Sequence, residues 1–174
     1  MKKTITLLTL AVVSLFAEVD TKQSLHPVTL EGDNGSYYTG EAWDSSMLQG
    51  KTTMLMYVDP DEKNKGEVFK PTIEAFEKDL DFDKFQILVI LNLNATWKPD
   101  FVIRSLMKSK LTDYPKRTYI LDTNSVLVKE WGLTDNEYNT LVINDESKVI
   151  YSHSGRWKEG EIDKINVLIR SEVK

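Results

Sequence analysis

The 174-residue chain contains two histidines, His26 and His153, and no cysteine. Without cysteine there can be no disulfide, thiolate nucleophile, CxxC redox pair, cysteine-ligated zinc or lipidated cysteine. The adjacent pair His153-Ser154 imitates a base beside a nucleophile. Neighbours along a strand point to opposite faces, so the pair does not meet by itself, although an acid from elsewhere in the fold could orient His153. The expectation is a surface or strand-end histidine. Carboxylates gather at Asp59-Pro60-Asp61-Glu62 and at Asp79, Asp81 and Asp83. A calcium loop over the first group would need an acid or Asn where Lys63 stands, Gly in place of Asn64 and Glu in place of Lys70. It fails at all three positions, which leaves a solvated loop with Asp59 or Asp61 capping the next turn. No GxSxG, HExxH or P-loop motif is present, and no metal or cofactor is implied.

Aromatic and cationic residues offer binding rather than catalysis. Of the four tryptophans, Trp43 and Trp131 are expected in or beside the core, whereas Trp97 falls in a loop after an apolar run, where open α/β sheets place their crevices. Arg104, one to two turns into the next predicted helix, can reach an anion at the same edge or pair structurally with Asp122.

The elements that position these groups follow from periodicity. Val28-Thr29-Leu30 and Ser36-Tyr37-Tyr38 flank Asn34-Gly35, a hairpin signal. Residues 51–58 (KTTMLMYV) and 85–93 (FQILVILNL) are near-continuous apolar runs, expected as strands covered on both faces. Between them Phe69, Ile73, Phe76 and Leu80 recur at helical spacing over 67–80, with Pro71 predicting a kink unless the helix starts later. A second helix is predicted over 99–111 with Phe101, Val102, Ile103, Ser105 and Leu106 turned inward. Residues 117–121 and 126–131 read as strand, turn and strand, as do 139–143 and 148–152. A last helix over 159–173 carries Ile162, Ile165, Leu168 and Ile169. No repeat or linker divides the chain after residue 17, so one domain over 18–174 is expected.

This order predicts an α/β three-layer sandwich with a mixed central sheet, helices on its faces and an N-terminal β-hairpin extension. The segment GKTTMLMYVDPDEKNKGEVFKP resembles the strand, active-site loop and proline-bearing helix of thioredoxin-like proteins, and NTLVINDESKVIYSHSG resembles their closing hairpin. Within that superfamily the middle third is similar to the YtfJ family of small periplasmic proteins. The resemblance rests on Trp97, the F-V-x-R-S run of Phe101, Val102, Arg104 and Ser105, and the D-x-N-x-V…W-x-L set of Asp122, Asn124, Val126, Trp131 and Leu133. It implies a thioredoxin-like fold and a periplasmic address, with no settled biochemical role. With Pro71 on the kink proline, the redox-cysteine positions fall near Lys63 and Gly66. Glu137-Tyr138-Asn139-Thr140 stands where redox members carry a cis-proline, and a trans loop is expected. The resemblance thus implies a cleft lined by residues 59–66, Trp97 and Tyr138, with a helix N-terminus facing it and suited to an anion. The candidate binding residues are Asp59, Asp61, Lys63, Trp97, Arg104 and Tyr138.

Composition supplies the address and the class of partner. Met1-Lys2-Lys3, the apolar run 4–16 and Ala17 before Glu18 read as a cleavable signal peptide, and the run is shorter than the ~20 residues of a membrane span. Removing residues 1–17 takes away Lys2 and Lys3 and no acid, so the net charge moves from −5 to −7. An exported, acidic, cysteine-free domain fits a bacterial periplasm. The charge and the absence of a Lys/Arg run argue against nucleic acid, and no membrane insertion is expected after cleavage. The expected partner is a periplasmic protein or a small anionic ligand, bound by a monomer.

Overall fold

The computed structural model describes Thr21 and residues 24–173. The predicted signal peptide, residues 1–17, lies outside the described residues. Among the described residues are eight strands: β1 (Thr29–Leu30), β2 (Gly35–Tyr37), β3 (Trp43–Asp44), β4 (Thr52–Val58), β5 (Phe85–Asn92), β6 (Arg117–Asp122), β7 (Tyr138–Ile143) and β8 (Val149–Ser154). The α-helices are α1 (Lys70–Asp79), α2 (Asp100–Asp113), α3 (Val126–Trp131) and α4 (Glu161–Glu172).

Six strands form the main sheet in the order β2-β6-β5-β4-β7-β8. β4, β5 and β6 run parallel, joined by the α1 and α2 crossovers, while β7 lies antiparallel to β4 and β8 to β7. Every residue of β4 is buried. Its side chains alternate between two cores, which is why its sequence reads as an unbroken apolar run. Met54, Met56 and Val58 face Phe69, Ile73 and Phe76 beside α4's Ile165 and Ile169. Leu55 and Tyr57 face Trp43, Leu127 and Trp131 on the other side. Full burial of each such large apolar side chain stabilises the fold by roughly 1.5–3 kcal/mol. Trp43 and Trp131 meet edge to face at 6.2 Å, as expected of core residues.

Several local expectations are corrected. Asn34-Gly35 closes no hairpin: β1 pairs antiparallel with β3, and β2 leaves this extension to pair with β6. Gly35 can do so because it has no side chain; a Cβ there would lie 2.1 Å from the Leu121 carbonyl oxygen. Residues 126–131 are helix, not strand. The buried Asp122 carboxylate accepts from the N–H groups of Val126 and Leu127 at 2.8 and 2.9 Å, capping α3, and Gly132 ends it in the left-handed conformation. For Pro71 the alternative holds: α1 starts only at Lys70, so the proline stands in its first turn, where its missing N–H costs nothing, and produces no kink. A 3-10 segment, Lys63–Phe69, runs directly into α1. In α2 the inward residues are Ile103 and Met107, whereas Phe101 and Leu106 are 74% and 51% exposed.

Candidate functional site

The loop leaving β4 is anchored by Asp59, only 4% exposed. Its backbone N–H donates to the Glu137 carbonyl, its carboxylate accepts from the Asp61 N–H at 2.8 Å, and its carbonyl accepts from the Glu62 N–H. Burial, reinforced by the negative charges of Asp61, Glu62 and Asp135, raises its pKa above the ordinary carboxylate value. Asp59 therefore shapes the loop from beneath. Asp61 points outward, accepts from the Thr96 hydroxyl at 3.0 Å and pairs with Lys98, which holds its carboxyl below the usual range. Lys98 lies over the Trp97 ring at 5.5 Å. Trp97 is 84% exposed.

The two positions that the resemblance sets against the redox cysteines, Lys63 and Gly66, differ physically. Lys63 is exposed at the mouth of a groove. Gly66 is buried against the ring of Tyr138: a Cβ there would stand 2.3 Å from Tyr138 Cε2 and Cζ and 2.6 Å from its hydroxyl. The ring cannot readily withdraw, because it is 6% exposed and its hydroxyl donates to Met56 Sδ at 3.0 Å. Burial also pushes the Tyr138 phenol well above its ordinary pKa, so it stays neutral. Lys65, between the two positions, is bound by Glu62 and Glu137 and ties the 3-10 segment to the start of β7. The peptide bonds of the described residues include no cis form.

Beside this filled position opens a groove of about 460 Å³ between α1 and α2. Its floor is Met56, Val58, Val89 and Leu91, and α2 supplies Ile103, Leu106 and Met107 as one wall. Asp61, Lys63, Lys98 and Tyr138 stand at the end near the loop; Lys70, Lys110, Tyr114 and Arg117 stand at the end near the start of β6. Five cationic side chains thus line the groove against two carboxylates, Asp61 and Glu67, in a chain of net charge −5.

The structure brings Asp61, Lys63 and Tyr138 together, with Asp59 beneath them and Trp97 reaching the site through Lys98. Arg104 does not join them. Its guanidinium donates to the Tyr38 carbonyl at 3.1 Å, and its alternative partner Asp122 is occupied by α3 and by the Tyr57 hydroxyl at 3.0 Å. The expected free helix N-terminus is also absent, because the first N–H groups of α1 follow the 3-10 segment and that of Lys70 is bonded to the Glu67 carbonyl. His153 is not at the surface. It is 8% exposed, stacks on Trp157 at 4.3 Å, and has Nδ1 3.7 Å from Glu161. An acid from elsewhere thus does approach it, but neither His153 nor Ser154 lines the groove. Lys70 and Lys110 escaped the sequence reading as site residues, and Leu106 was read only as an inward residue of the second helix. For Leu106 and Lys110 a signal was present in α2, where Ile103, Leu106, Met107 and Lys110 share a face at spacings of 3, 1 and 3.

Comparison with known proteins fixes the relationship. A family model described as a bacterial protein of unknown function, YtfJ_HI0045, matches residues 18–172. The chain belongs to the YtfJ family. It is 25% identical over 180 residues to the uncharacterized protein YtfJ of Escherichia coli (strain K12), covering 98% of this chain and 96% of that one. Among solved structures it resembles the exposed lipoprotein thioredoxin Etrx1 of Streptococcus pneumoniae, with TM-score 0.61, 16% identity and coverage of 84% and 99%. It also resembles the thioredoxin domain of thiol-disulfide oxidoreductase BVU-2223 from Bacteroides vulgatus, with TM-score 0.60, 12% identity and coverage of 89% and 99%. The fold of this YtfJ-family chain is thioredoxin-like. No described helix is long and apolar enough to cross a membrane.

Proposed function

We propose that this YtfJ-family chain is exported by a cleaved signal peptide and works as a redox-inert binding or adaptor module, engaging its partner or ligand at the groove between α1 and α2. The observation that carries the reading is that Tyr138 closes the position of Gly66 beside an open groove. Tyr138 packs where a side chain at residue 66 would stand, so this edge cannot accept the second thiol of a redox pair. Alongside it, an apolar floor with a cationic lining supplies contact area and orienting charge. Thioredoxin-like architecture alone says nothing of activity, so the weight falls on these residues.

Export is tested by separating periplasm from spheroplasts and sequencing the mature N-terminus. The expected start is Glu18 in the periplasmic fraction; retention of Met1 in the cytoplasm would refute it. Binding is tested with Trp97→Ala combined with Leu106→Glu, both at exposed positions and away from the structural Asp59. The pair should leave the melting curve unchanged and abolish recovery of whatever the native protein retains. Unchanged recovery would remove the groove from consideration.

A further inference from the structure

We infer that the groove binds a single-chain anionic amphiphile, a fatty-acid-like molecule with a carboxylate or phosphate head at the Tyr114 end and its apolar tail running toward Tyr138. This rests on the reading of the groove as the binding site and names the ligand class.

At the head end, three cations surround one ring: Lys70 Nζ, Lys110 Nζ and the Arg117 guanidinium lie 5.7, 5.5 and 3.8 Å from the Tyr114 centroid. Two are answered by carboxylates. Arg117 is held by Glu77, with Nε at 2.6 Å and Nη2 at 3.2 Å, and Lys70 is 3.7 Å from Glu74. Lys110 has no carboxylate partner among the described residues and lines the groove. An arriving anion would be met there by Lys110 and, at longer range, by Lys70, on an aromatic platform fixed by Arg117.

The floor decides between an acyl chain and a peptide. The floor residues Met56 and Val58 of β4 and Val89 and Leu91 of β5 are paired to a neighbouring strand on both sides, so the floor offers no free backbone edge. A peptide laid there would bury its amides against carbon, unpaired, whereas methylenes carry no such groups. The Tyr138 hydroxyl is already turned to Met56 Sδ. Met56 and Met107 supply flexible, polarizable surface that accommodates an irregular chain. The volume of about 460 Å³ falls within the roughly 300–1,000 Å³ usual for small-molecule sites.

The test is calorimetric titration of the purified protein with decanoate and dodecanoate below their micellar concentrations. Each methylene buried should tighten binding about fourfold, so the two-carbon step should gain roughly sixteenfold. Dodecanol, with the same tail and no charge, should bind at least tenfold more weakly than dodecanoate. Lys110→Glu should weaken dodecanoate roughly tenfold, while the same charge reversal at Lys108, exposed on α2 and outside the groove lining, should change it less than threefold. Lauroyl lysophosphatidylglycerol separates the two sources of the head, since tighter binding than dodecanoate assigns a phosphate and weaker binding a carboxylate. Equal affinities for decanoate and dodecanoate, dodecanol matching dodecanoate, or no binding of either acid would overturn the proposal. Photo-crosslinking from position 106 distinguishes the failures. A captured protein together with no acid binding retires the amphiphile and keeps the binding module, whereas a blank together with no acid binding retires both.

Discussion

Gly66→Ala places a methyl group where the Tyr138 ring already lies, with the new carbon 2.3 Å from two ring atoms. Contacts below 3.0 Å must be relieved by movement. The φ of Gly66 is outside the left-handed region, so the substitution carries no backbone strain, and on propensity alone Gly→Ala would stabilise by about 0.4–1 kcal/mol. Steric conflict should reverse that sign. A methylene forced into a packed region costs about 1–3 kcal/mol. Here the obstacle is a rigid ring held by burial and by its bond to Met56, so the upper half of the range applies. For a chain of this length the melting temperature should fall by roughly 4–12 °C. The assay is a double-mutant cycle in urea with Tyr138→Ala. In that background the methyl fills vacated space, and Gly66→Ala should become neutral or stabilising, giving a coupling of about 2–4 kcal/mol with Tyr138. A neutral single variant, or additive effects across the cycle, would refute the argument that Tyr138 closes this position.

Other substitutions separate the structural residues from the surface ones. Trp43→Ala, at a fully buried indole, should cost about 3–5 kcal/mol, while Trp97→Ala should stay within about 0.5 kcal/mol; equilibrium unfolding compares them directly. Asp122→Ala strips the acceptor from the Tyr57 hydroxyl and from two α3 N–H groups, and unfolding should register a loss of about 3–5 kcal/mol. Asp59 has a folded pKa raised above the unfolded value of about 3.9, so its contribution is present below that pH and is lost as pH rises through the folded pKa. Asp59→Asn keeps the carbonyl oxygen for the Asp61 N–H, and it should melt higher than the native protein at pH 7 and alongside it at pH 3. A larger penalty at pH 7 than at pH 3 would contradict this.

Much of the fold could be read in the sequence because its signals were long and consistent. β4 and β5 declare two-sided burial through continuous apolar runs, and α1 and α4 through sustained helical spacing. The failures were short-range signals overridden by distant partners. Residues 126–131 open on the β-prone run Val126-Leu127-Val128, which suits a strand, but the helix is fixed by the Asp122 carboxylate, whose capping role depends on its burial at the end of β6. Asn34-Gly35 has hairpin chemistry, yet Gly35 serves a close backbone approach to Leu121. The site was legible in part. Lys63 and Tyr138 follow from aligning Pro71 with the kink proline, but the contact of Tyr138 with Gly66 joins residues 72 apart and leaves no local trace. Arg104 was misplaced because its partner is a backbone carbonyl, which carries no sequence signature. The Tyr114 cluster escaped notice because Lys70, Lys110 and Arg117 come from three different elements.

The central claim, that this protein acts by binding through the α1–α2 groove, is tested most directly by photo-crosslinking in intact cells from three exposed positions. Residue 106 lies on the wall of the groove and residue 97 beside Lys98, which lines it, while Met47, 58% exposed, is in the segment between β3 and β4 and does not line the groove. The same species should be captured from 97 and 106 and not from 47. Capture from 47 alone, or equally from all three, would contradict the account.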